Sequence, residues 1–285
     1  VSSINPPSRQ VILGVFRYKL RASMSTQLRV FKADAGLKWL KAGWLIFKTQ
    51  PMTFIFMHLF IGIVGLLSLF LPLLQVVAAL ATPFLTAGFY QAVLTKQQGG
   101  KIMLADILKP FSAKGNRLGL VRLALYQMGA GILMALLANG LFADAVAIMS
   151  QPGLEPQAAL EQTIASISGA SVILFFMAML IYLTAFAYAV PLVYFNKEQR
   201  ILTALKQSLM VFYHNLFPLS VFGVICVLFM AVSMFLSFLP LLILMPICYI
   251  SFFVSYQAIF MPIVPPSDDK NVKPLSSETS GRFDA

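Results

Sequence analysis

The sequence predicts an all-α integral membrane protein with six transmembrane helices and amphipathic interfacial helices. Three observations predict it. The chain is 59% hydrophobic and only 11% charged, against roughly 25% charged in soluble domains, and its mean hydropathy is +0.83. A soluble fold this poor in charge could not cover its own surface. Residues 49–95, 123–143, 162–196 and 207–267 contain no Asp, Glu, Lys or Arg. A helix crosses the bilayer with about 20 apolar residues, so the shorter stretches hold one span each. The two long stretches break at Leu71-Pro72 and Leu239-Pro240, and each reads as two spans joined by a tight turn. Lastly, all 21 lysines and arginines fall in segments that a six-span threading places on one side of the membrane.

Residues 1–34 form a basic, polar opening, with the NPPS sequence at 5–8 favouring extended, disordered chain. No compact apolar core follows its charges, as a signal peptide would require. Met24 heads a plausible start, so residues 1–23 read as an upstream extension. Residues 35–50 read as an amphipathic helix, with Trp39, Leu40, Gly43, Trp44, Ile46 and Phe47 on one broad face and Lys38, Lys41 and Lys48 opposite. Tryptophan prefers the headgroup region and lysine favours anionic lipid. Trp39, Trp44, Lys41 and Lys48 are therefore the expected interfacial anchors, holding this helix flat on the inner leaflet.

Pro51 opens the first span, about 52–71, where proline fits the first helical turn. The second covers about 73–94, the third 118–142, the fourth 167–195, the fifth 216–239 and the sixth 241–262. The tail at 263–285 lacks apolar periodicity and should be disordered. Basic residues number nine from Arg9 to Lys48, six from Lys96 to Arg122, three from Lys197 to Lys206 and three in the tail. The connection 143–166 has Asp144, Glu155 and Glu161 and no cation. The positive-inside rule then places both termini in the cytoplasm. This sorting accounts for the net charge of +11 without a nucleic-acid partner.

A possible duplication runs through the chain. The segment from Lys41, KAGWLIFKTQ, parallels KQSLMVFYHN from Lys206, and Tyr90-Gln91-Ala92-Val93-Leu94 parallels Tyr256-Gln257-Ala258-Ile259-Phe260. The second copy also opens on an amphipathic helix, with Ile201, Leu202, Leu205, Leu209 and Phe212 on its apolar face. Both units start from the same side, so they are parallel repeats.

The chemistry is sparse. An ionisable residue deep in a span usually marks ion coupling or catalysis, and no Asp, Glu, Lys or Arg lies mid-span. The candidate intramembrane polar positions are His58, Gln91, Gln127, Asn139 and Gln257. His58 could sense pH, but hydrogen bonding to a neighbouring helix is the plainer reading. Gln127, Gly131, Ala135 and Asn139 share one stripe of the third span, expected to form a tight seam against another helix. Gln91 and Gln257 are expected to line a shared inner surface or to act as helix glue. Cys226 and Cys248 lie inside spans and read as small apolar side chains. Without a metal-ligand spacing or a nucleophile-base-acid set, no metal, cofactor or enzymatic chemistry is expected.

The W-x-x-x-x-W-x-x-F-x-x-x-P opening at Trp39, Trp44, Phe47 and Pro51, followed by Pro83, Gly88 and Phe111, resembles an uncharacterised family of six-span proteobacterial inner-membrane proteins. The likeness extends over about 35–262. It implies a Gram-negative cytoplasmic membrane and the same six-span plan, and brings no established activity or functional residues. The expectation is thus a multi-pass scaffold or accessory factor for the envelope or for another membrane complex, working among anionic inner-leaflet lipids. The rival is a transporter or channel for an apolar or uncharged solute. A continuous polar cavity lined by Gln91, Gln127, Asn139 and Gln257 would favour the rival, and a closed apolar core with an exposed groove the scaffold.

Overall fold

The computed structural model describes residues 29–113, 115, 117–237 and 239–260. The expected disorder of residues 1–28, the proposed start at Met24 and the tail at 263–285 lie outside them. Among the described residues the regular structure is helical, with no strand: α1 (Ala35–Phe47), α2 (Pro51–Leu67), α3 (Pro72–Gln97), a 3-10 turn (Leu104–Leu108), α4 (Lys109–Ser112), α5 (Arg117–Leu141), α6 (Ala143–Met149), α7 (Pro156–Ser166), α8 (Gly169–Ala187), α9 (Ala189–Tyr194), α10 (Ile201–His214), α11 (Leu216–Phe235) and α12 (Leu241–Phe260). Five helical segments are long and apolar enough to cross a membrane: α3, α5, α8 with α9, α11 and α12. The α1–α2 pair passes the same test only when taken together, and it is bent by 106°. The chain is an all-α, multi-pass membrane protein.

Prolines open both helices of the first hairpin, Pro51 for α2 and Pro72 for α3, where a missing N–H is harmless. Between α1 and α2 the elbow is fixed by Gln50. Its Nε2 donates to Thr53 Oγ1 at 2.7 Å and to the Ile102 carbonyl at 2.5 Å, while its Oε1 accepts from Ile102 N and Lys96 Nζ, both at 3.3 Å. One amide thus ties the elbow to the loop after α3.

The fourth span is broken at Tyr188, and the cause is local. Pro191 cannot donate to the carbonyl one turn back, and its ring crowds that carbonyl. At the same place the Ser208 hydroxyl from α10 enters the helical ladder. Tyr188 N donates to Ser208 Oγ at 3.1 Å, and Ser208 Oγ donates to the Thr184 carbonyl at 2.6 Å. A side chain inserted between residues four apart is a recognised origin of helix kinks.

Burial is uneven along the spans. Phe54, Phe89, Tyr188, Phe253 and Tyr256 are buried completely. Tyr90 stacks on Phe253 at 4.8 Å and Tyr188 on Phe252 at 4.5 Å. These rings belong to the ends of the spans that adjoin the basic loops. Toward the opposite ends, Leu69, Phe70, Leu73, Leu133, Ile173, Val227 and Phe235 are all exposed. Large side chains are thus buried at one end of the spans and exposed at the other.

In two helices the buried face overlaps the apolar face read from the sequence only in part. In α1 the buried residues are Ala35, Gly36, Trp39, Gly43 and Phe47, while Trp44 and Leu45 are exposed. In α10 they are Ile201, Ala204, Ser208 and Val211, with Leu202 and Leu209 turned outward. Close helix contact selects small residues, and lipid accepts the large apolar ones, so the most apolar face is not the buried one. A Cβ added at Gly36 would stand 2.9 Å from Phe222 N, and one at Gly43 would stand 3.0 Å from Ser251 N. Phe31, expected within the disordered opening, packs against the bundle: its N donates to Asn215 Oδ1 at 2.9 Å, and its ring meets Trp39 edge-on.

Candidate functional site

The polar positions drawn from the sequence do not meet at one place. Gln91 accepts a hydrogen bond from the Tyr194 hydroxyl at 2.8 Å. Gln257 exchanges a reciprocal pair of amide bonds with Gln97, both at 2.8 Å. Both are helix glue rather than one shared surface. His58 presents its ring edge-on to Tyr249 at 5.2 Å, and its buried Nδ1 has no hydrogen-bond partner among the described residues. The hydrogen bond expected from His58 to a neighbouring helix is not made through Nδ1.

The expected seam on α5 requires correction. Ala135 and Asn139 are exposed, and a Cβ added at Gly131 would meet nothing within 4 Å. Among the described residues, no neighbouring helix lies against Gly131. Of its members, Gln127 alone reaches an internal space. Among the expected interfacial anchors, Lys41 and Trp44 are exposed, and Lys48 Nζ lies 5.7 Å from the Trp44 ring centre. Trp39 departs from that group, since only 4% of its surface is exposed. It anchors α1 to the protein rather than to headgroups.

A cavity of about 420 Å³ lies at mid-depth between α3, α5, α8, α9, α11 and α12. Thr82, Thr86 and Gln127 give it a few polar groups, and Tyr90, Phe186, Phe222, Tyr249 and Phe252 make its walls largely aromatic. Apolar space with a small number of oriented polar groups is the usual form of a small-molecule site. The same cavity is lined by Cys226 and Met230 from α11 and by Met245 and Cys248 from α12. The Cys248 thiol donates to Cys226 Sγ at 3.1 Å, and both cysteines are free. Reading each cysteine alone as a small apolar side chain missed this pairing. Their separation in sequence carries no motif; the Leu-Pro turn at 239–240 was the available signal, since it folds the two helices back on each other. Among the described residues, no group of three or more His, Cys, Asp or Glu could hold a metal ion.

Two further concavities flank this centre. An apolar groove of about 360 Å³ runs under α1, between Leu40 and Trp44 on one side and Phe229, Pro240, Ile243, Leu244 and Ile247 on the other. A polar depression of about 310 Å³ joins Gly119 and Arg122 of α5 to Lys197, Glu198 and Gln199. It brings two of the basic segments to the same end of the bundle. Near that end, Asp106 accepts from Met103 N at 2.8 Å and pairs with Lys109 at 2.9 Å. Burial alone would raise this carboxyl, but the backbone N–H and the ammonium outweigh it and hold the group below the usual carboxylate range.

No protein-family model, curated protein or solved structure matches the chain.

Proposed function

We propose that this is a non-catalytic, multi-pass protein of the bacterial cytoplasmic membrane that serves as a scaffold or accessory factor for a membrane complex. Both termini lie in the cytoplasm, and α1 rests at the inner interface with Lys41, Trp44 and Lys48 against anionic headgroups. The single observation that carries this reading is the uneven burial. In the most apolar window of Gly169–Tyr194 only 6% of positions are buried, against 50% for the second span. Polar groups are drawn into bonds between helices at the packed end, as Gln91 with Tyr194 and Gln97 with Gln257. The exposed apolar flanks at the other end are free for the transmembrane helices of a partner. The groove under α1 adds a second such surface.

The test is photocrosslinking in intact membranes from Leu133, Ile173 and Val227, with Phe253 as a buried control. Discrete protein adducts at the three exposed positions and none at Phe253 are the expected result. Adducts to lipid alone at all three would overturn the scaffold reading. One observation favours the rival, a transporter or binder of an uncharged solute: the aromatic cavity with Thr82, Thr86 and Gln127 on its wall.

A further inference from the structure

Four sulfur-bearing side chains line one wall of the mid-membrane cavity, and they come from two antiparallel helices. Cys226 and Cys248 face each other at 3.1 Å. Met230 follows Cys226 by four residues on α11, and Met245 precedes Cys248 by three on α12. Positions three or four apart share a helix face. Because the helices run in opposite directions, both methionines fall on the same side of the thiol pair, about one turn (~5.4 Å) away. The result is a layer of two thiols beside a layer of two thioethers.

We propose that Cys226, Cys248, Met230 and Met245 form a binding site for one soft monovalent cation, Cu(I) or Ag(I). Thiolate and thioether donors select such ions, whereas carboxylate and imidazole donors suit harder ones. The cavity wall offers the first kind and neither of the second. Charge argues for the same ion. Placing an uncompensated cation in the bilayer is expensive. On binding, one thiol proton leaves to solvent and the resulting thiolate bonds the metal. A monovalent ion with one thiolate, one thiol and two thioethers is then a neutral unit at the loss of one proton, whereas a divalent ion would be neutral only if both thiols, 3.1 Å apart, gave up their protons. Gln127 and the aromatic side chains line the rest of the cavity, and Met230 stands at its open side.

The test is anaerobic titration of the full chain, reduced and held in lipid nanodiscs, with Cu(I) in competition with bicinchoninate. One equivalent per chain should resist the chelator, and Ag(I) should displace it. X-ray absorption at the copper edge should show sulfur as the only neighbour. Cys226→Ser and Cys248→Ser should each lose that equivalent, while Met230→Leu with Met245→Leu should keep the fold and weaken binding. Thermal melting of each variant separates loss of the site from loss of the fold. Equal copper uptake by the wild type and the double cysteine variant would overturn the proposal. So would oxygen or nitrogen neighbours at the metal, or a Cys226–Cys248 disulfide that resists reduction.

Discussion

At the scale of single residues, close approach between backbones decides more than apolar character does. A Cβ at Gly88 would come within 2.6 Å of the Ile107 carbonyl carbon, while the same atom at Gly131 would meet open space. Backbone cannot move aside as a flexible side chain can, so overpacking there should cost about 1–3 kcal/mol. Gly88→Ala is expected to lower the melting temperature in detergent clearly, and Gly131→Ala to leave it unchanged. Equal effects at the two positions would mean that α5 has a neighbour on its small-residue stripe. Ser208 supplies a second case. Its hydroxyl serves both Tyr188 N and the Thr184 carbonyl. Hydrogen bonds in membranes average only about 0.6 kcal/mol, but removing this one strands two backbone groups at a kink that Pro191 keeps open. Ser208→Ala should therefore destabilise by about 1–3 kcal/mol, measured by the same melting assay, with Ser208→Thr retaining part of the loss.

At the scale of elements, the helices were legible and their facing was not. The charge-free stretches and the Leu-Pro steps follow from bilayer thickness and proline geometry, so α5 at Arg117–Leu141 lies within a residue of its expected 118–142. Both halves also run as a short helix followed by two longer ones, α1–α2–α3 and α10–α11–α12, although α2 is long enough to cross a membrane only when taken together with α1. What sequence could not tell was which side of each helix meets protein. In water an apolar stripe marks the interior; in lipid it does not, so the apolar positions Leu202 and Leu209 are exposed while Ala204 and Ser208 are buried. The sulfur pair and the Gln50 elbow were hidden for another: each joins residues from different elements, and no local spacing records such a meeting. The loop after α3 carries a pH prediction. Asp106 has a folded-state pKa below its ordinary value, set against burial by Met103 N and Lys109. A depressed carboxylate contributes stability that is present above its unfolded pKa of about 3.9 and lost as pH falls through the folded value. Amides of 103–109 should exchange more slowly in the wild type than in Asp106→Ala above that range. The difference should vanish below it. A difference that persists in strong acid would assign the loop's order to packing instead.

At the scale of the whole molecule, the position of the cations relative to the spans sets the expected orientation. Arg122 and Lys197 border one depression although they belong to different basic segments, and Lys96 reaches Gln50 at the foot of the first hairpin. Three segments that the positive-inside rule assigns to the cytoplasm thus gather at one end of the bundle. The opposite end carries α6 and α7, where Asp144, Glu155 and Glu161 stand without a single Lys or Arg between 143 and 166. Translocation disfavours lysine and arginine far more than aspartate or glutamate, so this end should face away from the cytoplasm. Cysteine substitutions at Ser150, in the 143–166 connection, and at Ser112, beside the basic loop, test the orientation directly in a Cys226→Ser, Cys248→Ser background. A membrane-impermeant maleimide added to spheroplasts should label position 150, and should reach position 112 only after the membrane is broken. Labelling at 112 with protection at 150 would invert the protein. It would also move α1, with Lys41 and Lys48, to the outer leaflet.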